Sequence, residues 1–299
     1  MTAPRVSVVV PTFDRRESLQ RLLGALRLQT LGRASFEVIV VDNGSSDGSG
    51  AAVAEAARTS PYPLRCVVEP APGSSNARNR GIREAAAPIV AFTDDDVEPE
   101  PRWLAEIVDG FEQHRAAAVG GRTVPVWHAP LPEWWLPEYE KPFARNWGET
   151  PTAVTTFPFF YSLNLAVTKE VLDCLSGFDP RLGPSRGRHL VGEDADLCRR
   201  IHESGGQLHY LPAAVVRHHV PPERLTRAFF RRRFYYGGAT HAVARRIEGR
   251  PLHRSYHLRT IAADGLRWMA ARDSSRRFRR QLDICYGLGF LSRALRPNE

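Results

Sequence analysis

With 299 residues, 42% of them hydrophobic, the chain can bury a full core as one large domain or one domain with an appendage. The four cysteines, Cys66, Cys174, Cys198 and Cys285, lie far apart and form no CxxC pair, which speaks against a zinc site or a disulfide framework and for reduced thiols in a cytosol. The net charge of +8 is uneven: from Arg217 onward 19 Arg face 6 acidic residues, a net of +13, so residues 1 to 216 carry 22 basic against 27 acidic side chains, a net of −5. A basic appendage on an acidic body suggests an anionic partner such as a membrane surface, a nucleic acid or a phosphorylated acceptor, or else a solvated helical face.

Val6 to Val10 is an apolar run broken by one serine, the pattern of a strand buried on both faces, and it stops at Pro11. Asp14 is a candidate N-cap with Glu17 three residues on, and Leu19, Leu22, Leu23 and Leu26 then recur at helical spacing. Phe36 to Val41 reads as a second buried strand, closed by the polar turn Asp42-Asn43-Gly44-Ser45-Ser46-Asp47-Gly48 and followed by an alanine-rich helix near 49–59. Leu64 to Glu69 is a third strand, the segment from Ser74 opens a helix, and Ile89 to Thr93 is a fourth strand ending in Asp94-Asp95-Asp96. Strands alternating with helices imply a doubly wound, mostly parallel α/β sheet whose ligand site lies at the carboxyl ends of its strands. Phe13, Asp42 and the three aspartates all fall at such ends. Three consecutive carboxylates repel one another, so they call for a cation or a dense set of donors.

Further along, residues 126 to 160 hold four of the six tryptophans: Trp127, Trp134, Trp135 and Trp147. Rings in an irregular loop suit stacking on a sugar or other acceptor, or a small apolar core beneath a long loop. Gly192-Glu193-Asp194-Ala195-Asp196 opens a helix, where its acidic residues also favour the helix dipole. Leu208 to Val216 reads as a final strand followed by His218 and His219. Beyond Pro221, Leu225, Phe229, Phe230, Phe234 and Tyr235 alternate with arginines, an amphipathic helix expected to dock onto the folded body, while Arg276 to Arg280 form a second basic cluster better suited to a surface contact. The opening residues lack a signal-peptide pattern, and the apolar run Ile284 to Leu291 is too short to span a bilayer. A cytoplasmic location is expected, with peripheral contact at the inner membrane face if the basic tail touches lipid.

The segments PTFDR, VVDNGSSDGS, SSNARNRGI, FTDDDV, SGFDPRL and GEDADLCRRI, in this order and spacing, resemble the family 2 glycosyltransferases, which have the GT-A fold. The resemblance covers about residues 5 to 220. It implies a catalytic domain at 1–220, with a nucleotide-binding half near 1–125 and an acceptor half near 126–220, and a basic helical extension at 221–299. It further implies an inverting transfer of one sugar from a nucleoside-diphosphate sugar, UDP favoured, to an acceptor hydroxyl. Pro11, Phe13, Asp42, Arg78, Asp94 and Asp95 are then the nucleotide-binding residues, although a lone helical arginine such as Arg78 is otherwise a surface charge. Asp96 and His218 are the expected ligands of Mn²⁺ or Mg²⁺, with His219 an alternative to His218. Asp194 is the general base, with Glu193 beside it. Trp134, Trp135 and Asn164 are assigned to the acceptor.

Arg267-Trp268 has Asp264 where the QxxRW motif of processive synthases has glutamine, which favours single-sugar transfer. A nucleotidyltransferase of sugar phosphates would want a glycine-rich phosphate loop after the first strand, and PTFDRRES lacks the glycines. A non-catalytic protein binding lipid or nucleic acid through its tail would show strong salt dependence and no metal requirement. No nucleic-acid partner is expected.

Overall fold

A computed structural model describes residues 3–156 and 159–296. The chain divides into two compact units. The first holds the residues up to Val126 together with Phe143–Pro180 and Glu193–His219; the second holds Trp127–Pro142, Arg181–Gly192 and the chain from Val220 onward.

The first unit is built on a sheet. Strands β1 (Val6–Thr12), β2 (Phe36–Asp42), β3 (Leu64–Val68) and β4 (Ile89–Phe92) run parallel in the order β3-β2-β1-β4, with helices α1 (Arg16–Leu26), α2 (Ser49–Arg58) and α3 (Ser74–Glu84) between them. The chain goes on through β5 (Val97–Pro99), α4 (Trp103–His114), β6 (Ala118–Trp127), β7 (Thr152–Ala153), β8 (Leu165–Thr168), α5 (Lys169–Cys174), the hairpin strands β9 (Pro184–Ser185) and β10 (Arg188–His189), α6 (Glu193–Glu203) and β11 (Leu208–Val220). β8 pairs antiparallel with β4 and β6, and β11 with β5 and β7, extending the sheet to nine strands among the described residues.

The doubly wound α/β expectation is met, and the reason lies in the strand periodicity. Val6, Val8 and Val10 of β1 pack on one face with leucines of α1, Val53 of α2 and Trp103, Leu104 and Ile107 of α4. Val9 points the other way, to Ala77 and Ile82 of α3, Leu172 of α5 and Leu197 and Ile201 of α6. Side chains alternate along a strand, so a continuous valine run feeds both cores at once.

Asp14 does not cap α1. Its backbone is left-handed (φ 51°), and its Oδ1 accepts from the Ser46 N–H at 2.6 Å. The cap comes instead from the loop after β2, where Asp47 Oδ2 accepts from Arg16 N at 2.9 Å while its Oδ1 accepts from Ser49 N and Oγ. The two loops at the strand ends are therefore stitched to each other, and α1 starts from a neighbour's carboxylate. The final strand is also four residues longer than the apolar pattern suggests. Its alternation continues through Val220, which turns His218 inward beside Val216 and leaves His219 half-buried.

The second unit holds the β9–β10 hairpin and the helices α7 (Arg227–Ile247), α8 (Arg254–Ala270) and α9 (Ser274–Ala294). Thr226 caps α7 through the Phe229 N–H, and Asp273 caps α9 through Ser275 and Arg276. A Cβ on Gly238 of α7 would stand 1.9 Å from the Tyr286 carbonyl oxygen, and one on Gly289 of α9 1.8 Å from that of Tyr235. The two glycines let these backbones pack closer than any side chain permits. Phe230 of α7 is buried and lies against Trp134, Trp135 and Tyr139 of the same unit.

Candidate active site

The carboxyl ends of β1, β2 and β4 carry a dense polar cluster. At the end of β2, Asp42 is nearly buried and its Oδ1 accepts from the Ser45 N–H at 2.8 Å, so the DNGSS turn holds the carboxylate in place. Pro11 lies in β1, and Phe13 just beyond it is 43% exposed. Asn43 ties the neighbouring loop by donating from Nδ2 to the Glu69 and Ala71 carbonyls.

The three aspartates differ in their surroundings, and Arg15 is shared between the last two. Asp94 accepts from Arg78 Nη2 at 2.7 Å. Asp95 is buried, accepts from Thr12 Oγ1 at 2.8 Å, and has Arg15 Nη1 at 3.6 Å. Loss of solvation pushes its carboxyl up to about 7, against the pull of Arg15. Asp96 pairs through Oδ2 with Arg15 Nη1 at 2.8 Å, and its Oδ1 is 3.8 Å from His218 Nε2. His218 Nδ1 lies 3.2 Å from the Phe143 carbonyl oxygen, to which Nδ1–H donates, and Nε2 is turned toward Asp96. Metal-binding histidines are commonly oriented by such a backbone contact. Carboxylate oxygen suits Mn²⁺ or Mg²⁺ completed by ligand oxygens. Among the described residues, no group of three or more His, Cys, Asp or Glu side chains is arranged to hold a metal by itself.

Across the cluster sits the acidic start of α6. Arg78 is buried on α3 and bridges two carboxylates, with Nη2 on Asp94 and Nη1 on Glu193 Oε1 at 3.0 Å, and its guanidinium lies over the Phe178 ring. Glu193 is also buried; desolvation and the Asp194 charge push its carboxyl up to about 7, while Arg78 opposes them. Asp194 is half-buried and accepts from Ala195 N at 2.7 Å and Ser162 N at 3.3 Å. Its pKa is raised by burial against the pull of those two N–H groups. Asp196 is turned to Arg199 and Arg200 of its own helix. Arg200 also donates to the carbonyls of Leu175 and Gly177, and Asn79 exchanges two hydrogen bonds with the Phe178 backbone, so the SGFD loop is tied to both α3 and α6.

Asp94, Arg78, Glu193 and Asp194 thus form one group and Asp95, Asp96 and His218 another, all in the first unit. The residues assigned to the acceptor are elsewhere engaged. Asn164 donates from Nδ2 to the carbonyls of Arg122 and Ala214, both at 2.9 Å, and accepts from Trp103 Nε1 at 2.8 Å. Its carboxamide braces the sheet. Trp134 and Trp135 belong to the second unit, in the aromatic cluster with Tyr139, Phe230 and Phe278. Two residues absent from the sequence expectation enter the site: Arg15 on the aspartates and Thr12 on Asp95. Thr12 ends β1 and Arg15 stands just before α1, both beside the aspartates that follow the neighbouring strand β4.

A parallel sheet with carboxylates at its strand ends and an antiparallel extension is the GT-A type of fold, and solved structures agree. A mannosyltransferase from Pyrobaculum calidifontis in complex with GDP-Man and Mn²⁺ superposes with a TM-score of 0.66 at 22% identity, over 99% of this chain and 88% of that one. S. aureus TarS 1–349 in complex with UDP-GlcNAc does so with a TM-score of 0.55 at 18% identity, over 78% and 66%. Residues 7–173 match the Glycosyl transferase family 2 model, more than half of the chain, and the chain belongs to that family. Among curated relatives, a glucosyl-dolichyl phosphate glucuronosyltransferase of Haloferax volcanii is 29% identical over 68% of this chain. A pre-mycofactocin glycosyltransferase of Mycobacterium tuberculosis is 29% identical over 80%. The chain spans 65%, 40% and 47% of the length of the first three curated relatives it matches.

Proposed function

We propose that the protein is an inverting glycosyltransferase that moves a single sugar from a nucleoside-diphosphate sugar to an acceptor hydroxyl. The observation that carries this reading is the facing pair of acidic groups, strand-end aspartates on one side and Glu193-Asp194 on the other, joined through buried Arg78. A donor base packs on Phe13 and hydrogen-bonds to Asp42, whose second oxygen can accept a ring N–H of uracil or of guanine; UDP is favoured on the family resemblance alone. Asp94 and Asp95 take the ribose and nucleotide side. Asp96 and His218 would hold a divalent ion, which when bound would supply charge neutralisation for the departing diphosphate. Asp194 removes the proton of the acceptor hydroxyl, and Glu193, kept in place by Arg78 and Ser74, sets the start of α6. One displacement from the face opposite the leaving group inverts the anomeric carbon.

The test is calorimetry of the full chain with UDP and with GDP, each with and without Mn²⁺. Metal-enhanced binding of one nucleoside diphosphate is expected. Absence of binding by both would overturn the donor assignment.

A further inference from the structure

Helix α8 presents two faces of opposite duty. His257 and Asp264 are buried on one side, the imidazole stacked on Phe290 at 3.7 Å and the carboxylate accepting from Arg267 and Arg280. On the opposite side Leu258, Ala262, Leu266 and Met269 follow one another at spacings of four, four and three, which aligns them along one helical stripe. These residues are exposed: Leu258 by 58%, Leu266 by 66% and Met269 by 63%. Tyr256, on the flank of the stripe, is 61% exposed. A helix held in place by its buried side, yet carrying an aliphatic stripe on the other, has a second surface to cover.

The charges around the stripe say what covers it. Between 250 and 280 the chain has nine arginines and two acidic residues, and one of those two, Asp264, is the buried partner of Arg267 and Arg280. Arg254 and Arg259 flank the stripe on its two sides, and Arg272, Arg276 and Arg277 follow at its end, all exposed. A second copy of the chain would bring the same positive surface against this one and be repelled. A nucleic acid would satisfy the arginines and gain nothing from aliphatic side chains. An acidic bilayer satisfies both, since the aliphatic stripe enters the interface and the arginines meet the lipid phosphates. At seventeen residues α8 is about 25 Å long, enough to lie along a surface. Among the described residues no helix is long and apolar enough to cross a membrane.

We infer that α8 lies in the plane of an anionic lipid bilayer, with Leu258, Leu266 and Met269 in the interface and the flanking arginines on the headgroups. This contact is independent of the sugar-transfer reading: either can fail while the other holds.

The experiment is co-flotation of the full chain with vesicles of phosphatidylcholine containing about one third phosphatidylglycerol, beside vesicles of phosphatidylcholine alone. The chain is expected to float with the acidic vesicles and to remain below with the neutral ones. Leu258→Glu with Leu266→Glu, both exposed positions remote from the carboxylate cluster, is expected to lower partitioning by about tenfold or more, with binding of UDP or GDP unchanged. A second pair, Leu266→Gln with Met269→Gln, keeps the charge fixed and is expected to act in the same direction. Recovery of the wild-type chain below the acidic vesicles overturns the inference, as does equal flotation of both double variants. Equal binding to neutral vesicles overturns the role of the arginines. A wild-type dimer in solution that either double variant dissociates shows that a second copy covers the stripe, and overturns it as well.

Discussion

Arg78 Nη1 lies 3.0 Å from Glu193 Oε1, and both side chains are buried. The pair joins the helix after the third strand to the helix that carries the proposed base, so an arginine that sequence placed beside the nucleotide also fixes the acidic pair across from it. Replacing Arg78 with Met leaves Glu193 buried without its partner and is expected to cost about 3–5 kcal/mol of stability. Arg78→Lys is expected to recover only part of this, because an ammonium cannot span Asp94 and Glu193 as the forked guanidinium does. Urea unfolding of the three proteins checks both statements.

The raised pKa of Glu193 has a consequence for stability with a definite sign. In the unfolded chain this carboxyl titrates near its ordinary 4.5, and in the folded chain near about 7 because of burial. Between these values the folded state keeps a proton that the unfolded state has lost, so stability attributable to Glu193 is present at low pH and falls as pH rises through this window, by at most about 1.4 kcal/mol per pH unit. Above the folded pKa the loss is complete. Glu193→Gln removes this slope. Comparing the pH dependence of the unfolding free energies of wild type and variant isolates it, and identical slopes would refute it.

Asn164 offers a sharp contrast between bracing and substrate contact. Asn164→Ala strands the Trp103 indole N–H and two carbonyl oxygens in the buried sheet, at an expected cost of about 2–3 kcal/mol. Thermal unfolding is expected to shift strongly, while the acceptor KM of the folded fraction stays near wild type.

The two adjacent histidines give a metal prediction. His218→Ala is expected to weaken Mn²⁺-dependent UDP binding by about tenfold or more, and His219→Ala far less. The difference follows from strand alternation, which turns His218 toward Asp96. Calorimetry with and without Mn²⁺ on both variants decides it.

What was legible in the sequence follows local rules. Buried parallel strands write themselves as β-branched runs, so β1, β2 and β4 and the carboxylates Asp42 and Asp94 to Asp96 at their ends stand out along the chain. The ED pair stands out as acidic residues opening α6, and its expected role comes from the family resemblance. Side chains whose role depends on distant residues were not. Arg15 looks like any loop arginine until β1 and β4 are neighbours. The duty of Asn164 is set by Trp103, 61 positions earlier. Trp134 and Trp135 find their ring partners on α7 and α9, about a hundred residues or more away. The choice between His218 and His219 rested on whether the last strand continued, and the apolar pattern thins out there because alternate positions face solvent.

The central claim is that Asp194 takes the proton of the acceptor hydroxyl. The direct measurement is single-sugar transfer by Asp194→Asn, alongside calorimetric binding of the nucleoside diphosphate with Mn²⁺. Transfer is expected to fall by about 10²- to 10⁴-fold with nucleotide affinity retained. Turnover equal to wild type would remove Asp194 from that role and, with it, the proposed division of the site.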